Sequence, residues 1–293
     1  MTSVIIPSKS RHLLEKCLDS LAKQTKKHET IVVVPKGSAF RRKGVTVVEE
    51  NTGTRAGACN AGARHAKGKI IVFTDDDCTF PEDWLEKIEK AIQNVDVAGG
   101  DDIQKDGTYF QRALYQIDLA KNFSGCPEHR LRGCNTAYKV FPKEQFDPKM
   151  TGIEETEFHH RLARKGYKLK FDPSIIVYHD RRNGFRPLFK RLYTNGISRM
   201  QLIKKDKSFA GMMDIIAPLA VMITLFSFAS YLINPLYTAL WLSLLVLYFL
   251  LKPVAIVLRT KNVKYYPILV PITAVREFAF GLGILRGFFR KSL

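Results

Sequence analysis

Cysteine is scarce in this chain, and acid is withheld from its last third. The 293 residues hold five cysteines, Cys17, Cys59, Cys78, Cys126 and Cys134, an odd number with no Cys-x-x-Cys pair. That excludes a disulfide framework and a paired-cysteine zinc module, and it points to reduced thiols in a cytoplasmic compartment. The start lacks a charged segment followed by roughly 7–15 apolar residues, so no cleavable leader is expected there. Internal repeats and low-complexity tracts are missing too. After residue 179 only four acids remain, Asp180, Asp206, Asp214 and Glu277, against 17 basic residues.

Basic residues outnumber acids 46 to 28 overall, a net charge of +18, and 13 of those excess charges lie in residues 180–293. They stand beside or between long apolar runs, which argues against a nucleic-acid partner. Anionic lipid fits better, because a juxtamembrane Lys or Arg gains about 1 kcal/mol near such a surface. The mean hydropathy of −0.10 averages two solvents. Residues 1–179 read as globular, whereas 212–293 are dominated by apolar stretches.

In the first part, apolar runs at 3–7, 30–34, 45–48 and 69–74 alternate with helical patterns at 11–21, 54–66 and 84–92, with Pro81 in the first turn of the last. This alternation predicts a mostly parallel sheet with helices on both faces, and ligands bind outside the carboxyl ends of such strands. Further elements are a helix near 107–120, a strand over 132–140, a helix over 154–165 and two extended runs over 167–178. Residues 181–211 interleave Phe185, Leu188, Phe189, Leu192 and Ile197 with Arg182, Arg186, Lys190, Arg191 and Arg199, the pattern of a basic helix lying in the headgroup plane.

Two spans are expected next. Residues 212–233 make about 33 Å of helix with Asp214 as their one charge, and 236–258 form a second run after Asn234-Pro235. Arg259, Lys261 and Lys264 then return the chain to the cytoplasmic side. The third run, 265–289, contains Arg276, Glu277 and Arg286, charges that cost about 2.5–3.5 kcal/mol each at bilayer depth. It is expected to be interfacial or re-entrant, with a third span as the alternative.

Chemistry concentrates in two acidic clusters. Asp75-Asp76-Asp77 ends the strand at 69–74, where adjacent carboxylates repel unless a cation lies among them; hard divalent ions sit on one or two carboxylates plus phosphates. The plainer reading is an acidic cap for the helix that follows. Glu154, Glu155 and Glu157 open the helix at 154–165 and suit either a general base or a helix N-terminus.

These segments resemble family 2 glycosyltransferases, inverting enzymes of the GT-A fold, over residues 1–180. The resemblance rests on Val4-Ile5-Ile6-Pro7, Gly53 with Asn60-Ala61-Gly62, the acidic triplet, Arg132-Gly133-Cys134-Asn135, Gly152 to Phe158, and Val177-Tyr178-His179. It implies a nucleotide-sugar-binding α/β domain over 1–180, then an interface segment over 181–211 and a membrane domain over 212–293. It implies Mn²⁺ or Mg²⁺ on Asp75 and Asp77, with His179 as a further ligand. Donor contacts would come from Pro7, Asn60, Asp75, Asp76, Gly133 and Asn135, with Asp76 as the spacer of the triplet. The catalytic base falls on Glu155, with Glu154 as the alternative.

Two family features are missing. The segment Val34-Pro35-Lys36-Gly37-Ser38 lacks the acid that commonly holds the nucleotide base, which leaves UDP and GDP undistinguished. The Gln-x-x-Arg-Trp motif of processive synthases is also absent, so one transfer per encounter is expected. The expected protein is thus a membrane-bound, metal-dependent, multi-pass enzyme that moves one sugar from a nucleotide-sugar donor to a lipid-linked acceptor, either polyprenyl or dolichyl phosphate or a glycan on it. Self-association into a homo-oligomer stays open. The competing readings are a sugar-phosphate nucleotidyltransferase and a non-enzymatic membrane-anchored binding protein.

Overall fold

The structure is a computed structural model and describes residues 1–9, 11–121, 131–141, 143–231 and 234–290. Cys126 and the last two residues of the expected 212–233 span lie outside the described residues. The chain divides into two units, Met1–Lys105 with Ser124–Arg181, and Asp106–Phe123 with Arg182–Leu293.

The first unit runs β1 (Thr2–Pro7), α1 (Arg11–Leu21), β2 (His28–Pro35), β3 (Thr46–Glu50), α2 (Arg55–His65), β4 (Ile70–Phe73), β5 (Cys78–Thr79), α3 (Trp84–Ala91) and β6 (Val97–Ile103). After α4 (Tyr109–Lys121), which groups with the second unit, it resumes with β7 (Thr136–Tyr138), α5 (Glu154–Arg164) and β8 (Leu169–His179). The strands form one sheet in the order β3-β2-β1-β4-β7-β6-β8-β5. Side chains alternate across it. Val4 and Ile6 pack with Leu14, Cys17 and Leu18 of α1 and Trp84, Leu85 and Ile88 of α3. Ile5 faces the opposite layer, with Ala56 and Cys59 of α2 and Phe158 and Leu162 of α5.

β1, β2, β3 and β4 pair in parallel, as do β6 and β8. Inserted between β4 and β6, β7 is antiparallel to both, and β5 is antiparallel to β8. The sheet is therefore mixed. Direction could not be read from Thr136-Ala137-Tyr138, because a short strand buried on both faces shows the same apolar pattern either way. The chain runs from β1 outward to β2 and β3, then returns across β1 to β4. That reversal opens a crevice at the carboxyl ends of β1 and β4, the place where open α/β sheets bind ligands. Gly62 seats α2 there: a Cβ on it would lie 2.4 Å from Ile5 Cγ2.

The second unit adds α6 (Phe185–Lys205), α7 (Met213–Ser230), α8 (Pro235–Thr260) and α9 (Tyr266–Phe289) to α4. Leu114 and Ile117 of α4, Leu188 and Leu192 of α6, and Leu269 and Ile272 of α9 share one apolar cluster. α6 and α9 approach closely through glycine: a Cβ on Gly196 would lie 2.3 Å from the Phe280 carbonyl, and one on Gly283 2.2 Å from that of Tyr193. Small residues at a helix crossing allow this backbone contact. Among the described residues, Pro235–Thr260 and Val263–Phe289 are long and apolar enough to cross a membrane, and Met213–Phe228 is a shorter apolar helix.

Candidate active site

All the candidate catalytic, donor-binding and metal-binding residues lie in the first unit, and most converge on the β1/β4 crevice. The triplet after β4 splits in three directions. Asp75 accepts from Arg55 Nε at 2.8 Å. Asp76 Oδ2 accepts from the Ser8 hydroxyl at 2.7 Å and the Lys9 N–H at 3.2 Å, which ties it to the end of β1 just past Pro7. Asp77 Oδ1 stands 3.2 Å from His179 Nε2. β5 explains this last pairing, because its antiparallel register sets Cys78 opposite His179 and so brings Asp77 beside the imidazole.

His179 Nδ1 lies 3.0 Å from Asp102 Oδ2, at the end of β6. A carboxylate only accepts, so Nδ1 carries a proton toward Asp102, and Nε2, which faces Asp77, is the atom that would turn to a cation once its own proton is displaced. Asp102 is itself crowded by Arg181, at 2.8 Å, and Arg132, at 3.3 Å. Burial pushes the Asp102 carboxyl up, but the His179 hydrogen bond and the two guanidinium groups outweigh it and hold the pKa below the ordinary value. For His179, burial works against the charge, yet Cys134 and the Asp102 and Asp77 carboxylates raise its pKa well above that of free imidazole.

The second acidic cluster faces the same crevice. Ile153, the N-cap of α5, is held in the left-handed region at φ 51° and ψ 26°. A β-branched side chain there is strained. The three glutamates that follow lie at different positions around the helix and so point in different directions. Glu157 pairs with Arg161 at 3.0 Å. Glu154, 4% exposed at its side chain, receives Arg55 Nη1 at 3.2 Å. Glu155, half-buried, has no ion pair among the described residues, and its pKa is raised to about 7 by burial and then by the neighbouring Glu154 charge, with Arg55 pulling the other way. The two candidates for the base therefore stand in different surroundings: one carboxylate is bound in an ion pair, and its neighbour has a raised pKa.

Arg55 is the residue that sequence reasoning missed. From the first turn of α2, whose start is capped by the Thr54 hydroxyl, it reaches Asp75, Glu154 and, through Nη2 at 2.9 Å, the Gly133 carbonyl. The available signal was a lone guanidinium in a helix start otherwise made of Ala, Gly and Cys. Asp102 was also missed, although Asp101-Asp102 near the end of β6 repeats the strand-end pattern of 75–77. Asn60 and Asn135 are placed differently from a ligand contact. Asn60 exchanges two hydrogen bonds with the Phe146 backbone, at 2.8 and 3.0 Å. Asn135 donates to the Asp101 and Ile175 carbonyls and accepts from Trp84 Nε1 at 2.9 Å. Both amides hold the crevice walls together.

The donor set suits a hard cation. One ligand atom each from Asp75, Asp77 and His179 lies within 4.8 Å of the others, and two carboxylates with one imidazole match the preferences of Mn²⁺ and, less closely, Mg²⁺. Beside it, Lys9, Val34, Pro35, Ser38 and Phe40 line a cleft at the ends of β1 and β2.

Comparison with known proteins bears on the fold and the family. Mannosyltransferase PcManGT from Pyrobaculum calidifontis, solved in complex with GDP-Man and Mn²⁺, superposes with a TM-score of 0.62 at 17% identity, over 99% of this chain and 87% of that one, which shows a shared fold. Glycosyltransferase AglE of Haloferax volcanii is 25% identical over 229 residues, 70% of this chain and 75% of its own length. Glycosyltransferase GlyA of Streptococcus pneumoniae is 32% identical over 113 residues, 33% of this chain and 16% of its own length. The model of the family described as Glycosyl transferase family 2 matches residues 3–167, more than half of the sequence. The chain belongs to glycosyl transferase family 2 and is a glycosyltransferase.

Proposed function

We propose that this glycosyltransferase is an inverting, divalent-cation-dependent enzyme that transfers one sugar from a nucleotide-sugar donor to a lipid-linked acceptor at a membrane surface. The observation that carries it is the meeting of Asp75, Asp77 and His179 at the β1/β4 crevice, joined through Arg55 to Glu154 beside an unpaired Glu155. Asp75, Asp77 and His179 hold the cation, which when bound neutralises the diphosphate of the departing nucleotide. Pro7, Asp76 and Gly133 shape the donor side, while Asn60 and Asn135 act by positioning. Glu155 accepts the proton of the acceptor hydroxyl as its oxygen attacks the anomeric carbon from the face opposite the leaving nucleotide.

That role favours one acceptor class. A phosphate monoester arrives ionised and needs no base, whereas a sugar hydroxyl does. The site also holds its guanidinium groups in ion pairs: Arg55 with Asp75 and Glu154, and Arg132 and Arg181 with Asp102. A hydroxyl of a lipid-linked glycan therefore fits better than a lipid phosphate. The second unit supports the membrane reading through its apolar helices and the basic face of α6, and Arg259 in the last turn of α8 with Lys261 and Lys264 after it favours the cytoplasmic side. Confinement to the surface raises the effective concentration of an acceptor held in two dimensions.

The test is a screen of UDP-, GDP- and dTDP-sugars with Mn²⁺ on the full chain in detergent, with polyprenyl phosphate and lipid-linked glycan as separate acceptor arms. Transfer that needs a divalent ion and disappears in Asp75→Asn/Asp77→Asn is the expected result. Undiminished activity in that variant, or none with any donor and acceptor, overturns the reading.

A further inference from the structure

Beside the hard-cation set lie two thiols that the proposed glycosyl transfer does not use. Cys78 and Cys134 are buried, at 0% and 5% exposure, and each offers a sulphur that lies within 4.8 Å of the other and of a ring nitrogen of His179. The two cysteines are distant in sequence. β5 sets Cys78 opposite His179, and the turn that precedes β7 carries Cys134. Asp77 Oδ1 stands 4.0 Å from Cys78 Sγ and 3.2 Å from His179 Nε2, so a fourth donor is at hand. His179 and Asp77 are each 16% exposed at the side chain, which leaves a route from the crevice to the thiols.

We propose that Cys78, Cys134 and His179, completed by Asp77, form a soft-metal site for Zn²⁺ or Cd²⁺ that shares His179 and Asp77 with the hard-cation set. Two thiolates and an imidazole are the donors that zinc and cadmium prefer and that Mn²⁺ and Mg²⁺ do not. Tetrahedral zinc places sulphur at about 2.3 Å and nitrogen at about 2.0 Å, so the four donors have to contract by only a small amount around the ion. Asp102 serves both states, because its hold on Nδ1 fixes the imidazole ring in place. The two occupancies exclude each other, since His179 and Asp77 cannot serve both ions. A soft ion thus removes two of the three ligands that the proposed transferase function requires, and the enzyme becomes zinc-sensitive by construction.

The inference uses the reading of Asp75, Asp77 and His179 as the hard-cation set, and its first readout is independent of it. The full chain in detergent, reduced and stripped by a chelator, is titrated with Cd²⁺ while thiolate-to-cadmium charge-transfer absorption is followed in the ultraviolet. The band is expected to saturate at about one ion per chain, to vanish in Cys78→Ser and in Cys134→Ser, and to persist in Cys17→Ser and Cys59→Ser. Absence of the band in the unmutated chain, or a band unchanged in Cys78→Ser and Cys134→Ser, overturns the site.

Sharing is tested on the unmutated chain alone: Cd²⁺ added to Mn²⁺-loaded protein should release Mn²⁺, seen as the sharp resonance of the hydrated ion. Mn²⁺ that stays bound beside Cd²⁺ overturns the sharing. Turnover should fall about 10–100-fold with Zn²⁺ and recover with chelator, and Cys78→Ser should keep its turnover and lose the sensitivity. Failures are distinguishable: a cadmium band without Mn²⁺ binding sinks the hard-cation reading, and Mn²⁺ binding without the band sinks the soft site.

Discussion

Arg55 in the first unit and Arg199 in the second form nearly the same contact and do opposite work. Their side chains are 25% and 27% exposed, and each reaches a carboxylate that is almost fully buried, Glu154 at 4% and Asp214 at 6%. Arg199 closes its pair: it donates to both oxygens of Asp214 at 3.0–3.1 Å and to the Phe209 carbonyl, and the Gly211 N–H supplies Asp214 with a further bond. Two further contacts of this unit are similar staples. Lys252 joins α8 to Glu277 of α9, and Lys204 caps α9 through the Gly287, Phe288 and Arg290 carbonyls. Arg55, by contrast, serves Asp75 and Glu154 together and leaves Glu155 beside them without a cation. In the second unit these charges are closed into pairs, whereas the proposed site keeps an acid in reserve.

The strongest way to break this contrast is to remove the cation ligands. Asp75→Asn/Asp77→Asn keeps the shape and removes the negative charge, and transfer should fall by about 10⁴-fold, the equivalent of several kcal/mol of charge stabilisation at the leaving group. Melting temperature should change little, since relief of repulsion within the triplet is offset by the loss of charge opposite Arg55 and His179. A variant that loses fold and activity together would place the triplet among the structural charges.

Glu155→Gln comes next. Loss of the base should lower kcat by about 10²–10³-fold with KM little changed. The sign of the pH response follows from the raised pKa. Glu155 must be ionised to accept a proton, so kcat/KM of the unmutated enzyme should rise with pH and level off above about 7. Burial and the Glu154 charge both push the pKa up, so Glu154→Gln should move the inflection to lower pH. An inflection that stays in place in that variant, or moves upward, would take Glu155 out of the base role.

Much of this was legible in the residues. Both acidic clusters, the β-α alternation, the basic helix and the apolar runs each follow from local pattern, because strand ends, helix faces and span lengths are short-range properties. What was not legible depends on long-range pairing. β7 could be antiparallel without any change in its three residues. Asn60 and Asn135 were expected at the ligand, but their amides are claimed by Phe146, Asp101, Ile175 and Trp84, partners that lie 34 to 86 residues away in sequence. Arg55 shows the same limit, since its partner Glu154 lies 99 residues on. The Cys78, Cys134 and His179 cluster, invisible as spacing, exists only because β5 pairs with β8.

The twin arginines give a matched test at lower amplitude. Arg199→Met leaves Asp214 buried without its cation and should destabilise the second unit by about 2 kcal/mol, below the range for fully buried pairs because Arg199 is partly wet. Turnover per folded molecule in detergent should stay within about twofold. Arg55→Met should reverse the split and lose turnover out of proportion to any change in melting temperature. Equal behaviour of the two variants would remove the distinction between closed and reserved charge.

The smallest effect is expected at Ile153, where the backbone itself is under load. An L-residue in the left-handed region costs roughly 1–2 kcal/mol, a cost that glycine does not carry. Ile153→Gly should therefore shift stability by less than about 1 kcal/mol, because relief of strain offsets the lost side-chain packing and the extra freedom of the unfolded chain. Elsewhere, removing a half-buried isoleucine side chain costs more than that. If the strained turn aims Glu154 at Arg55 and Glu155 at the crevice, turnover should nevertheless drop by about three- to tenfold, because a looser turn samples both carboxylates in poorer geometry. A variant destabilised by several kcal/mol would show that the side chain of Ile153, and not its backbone conformation, holds the start of α5.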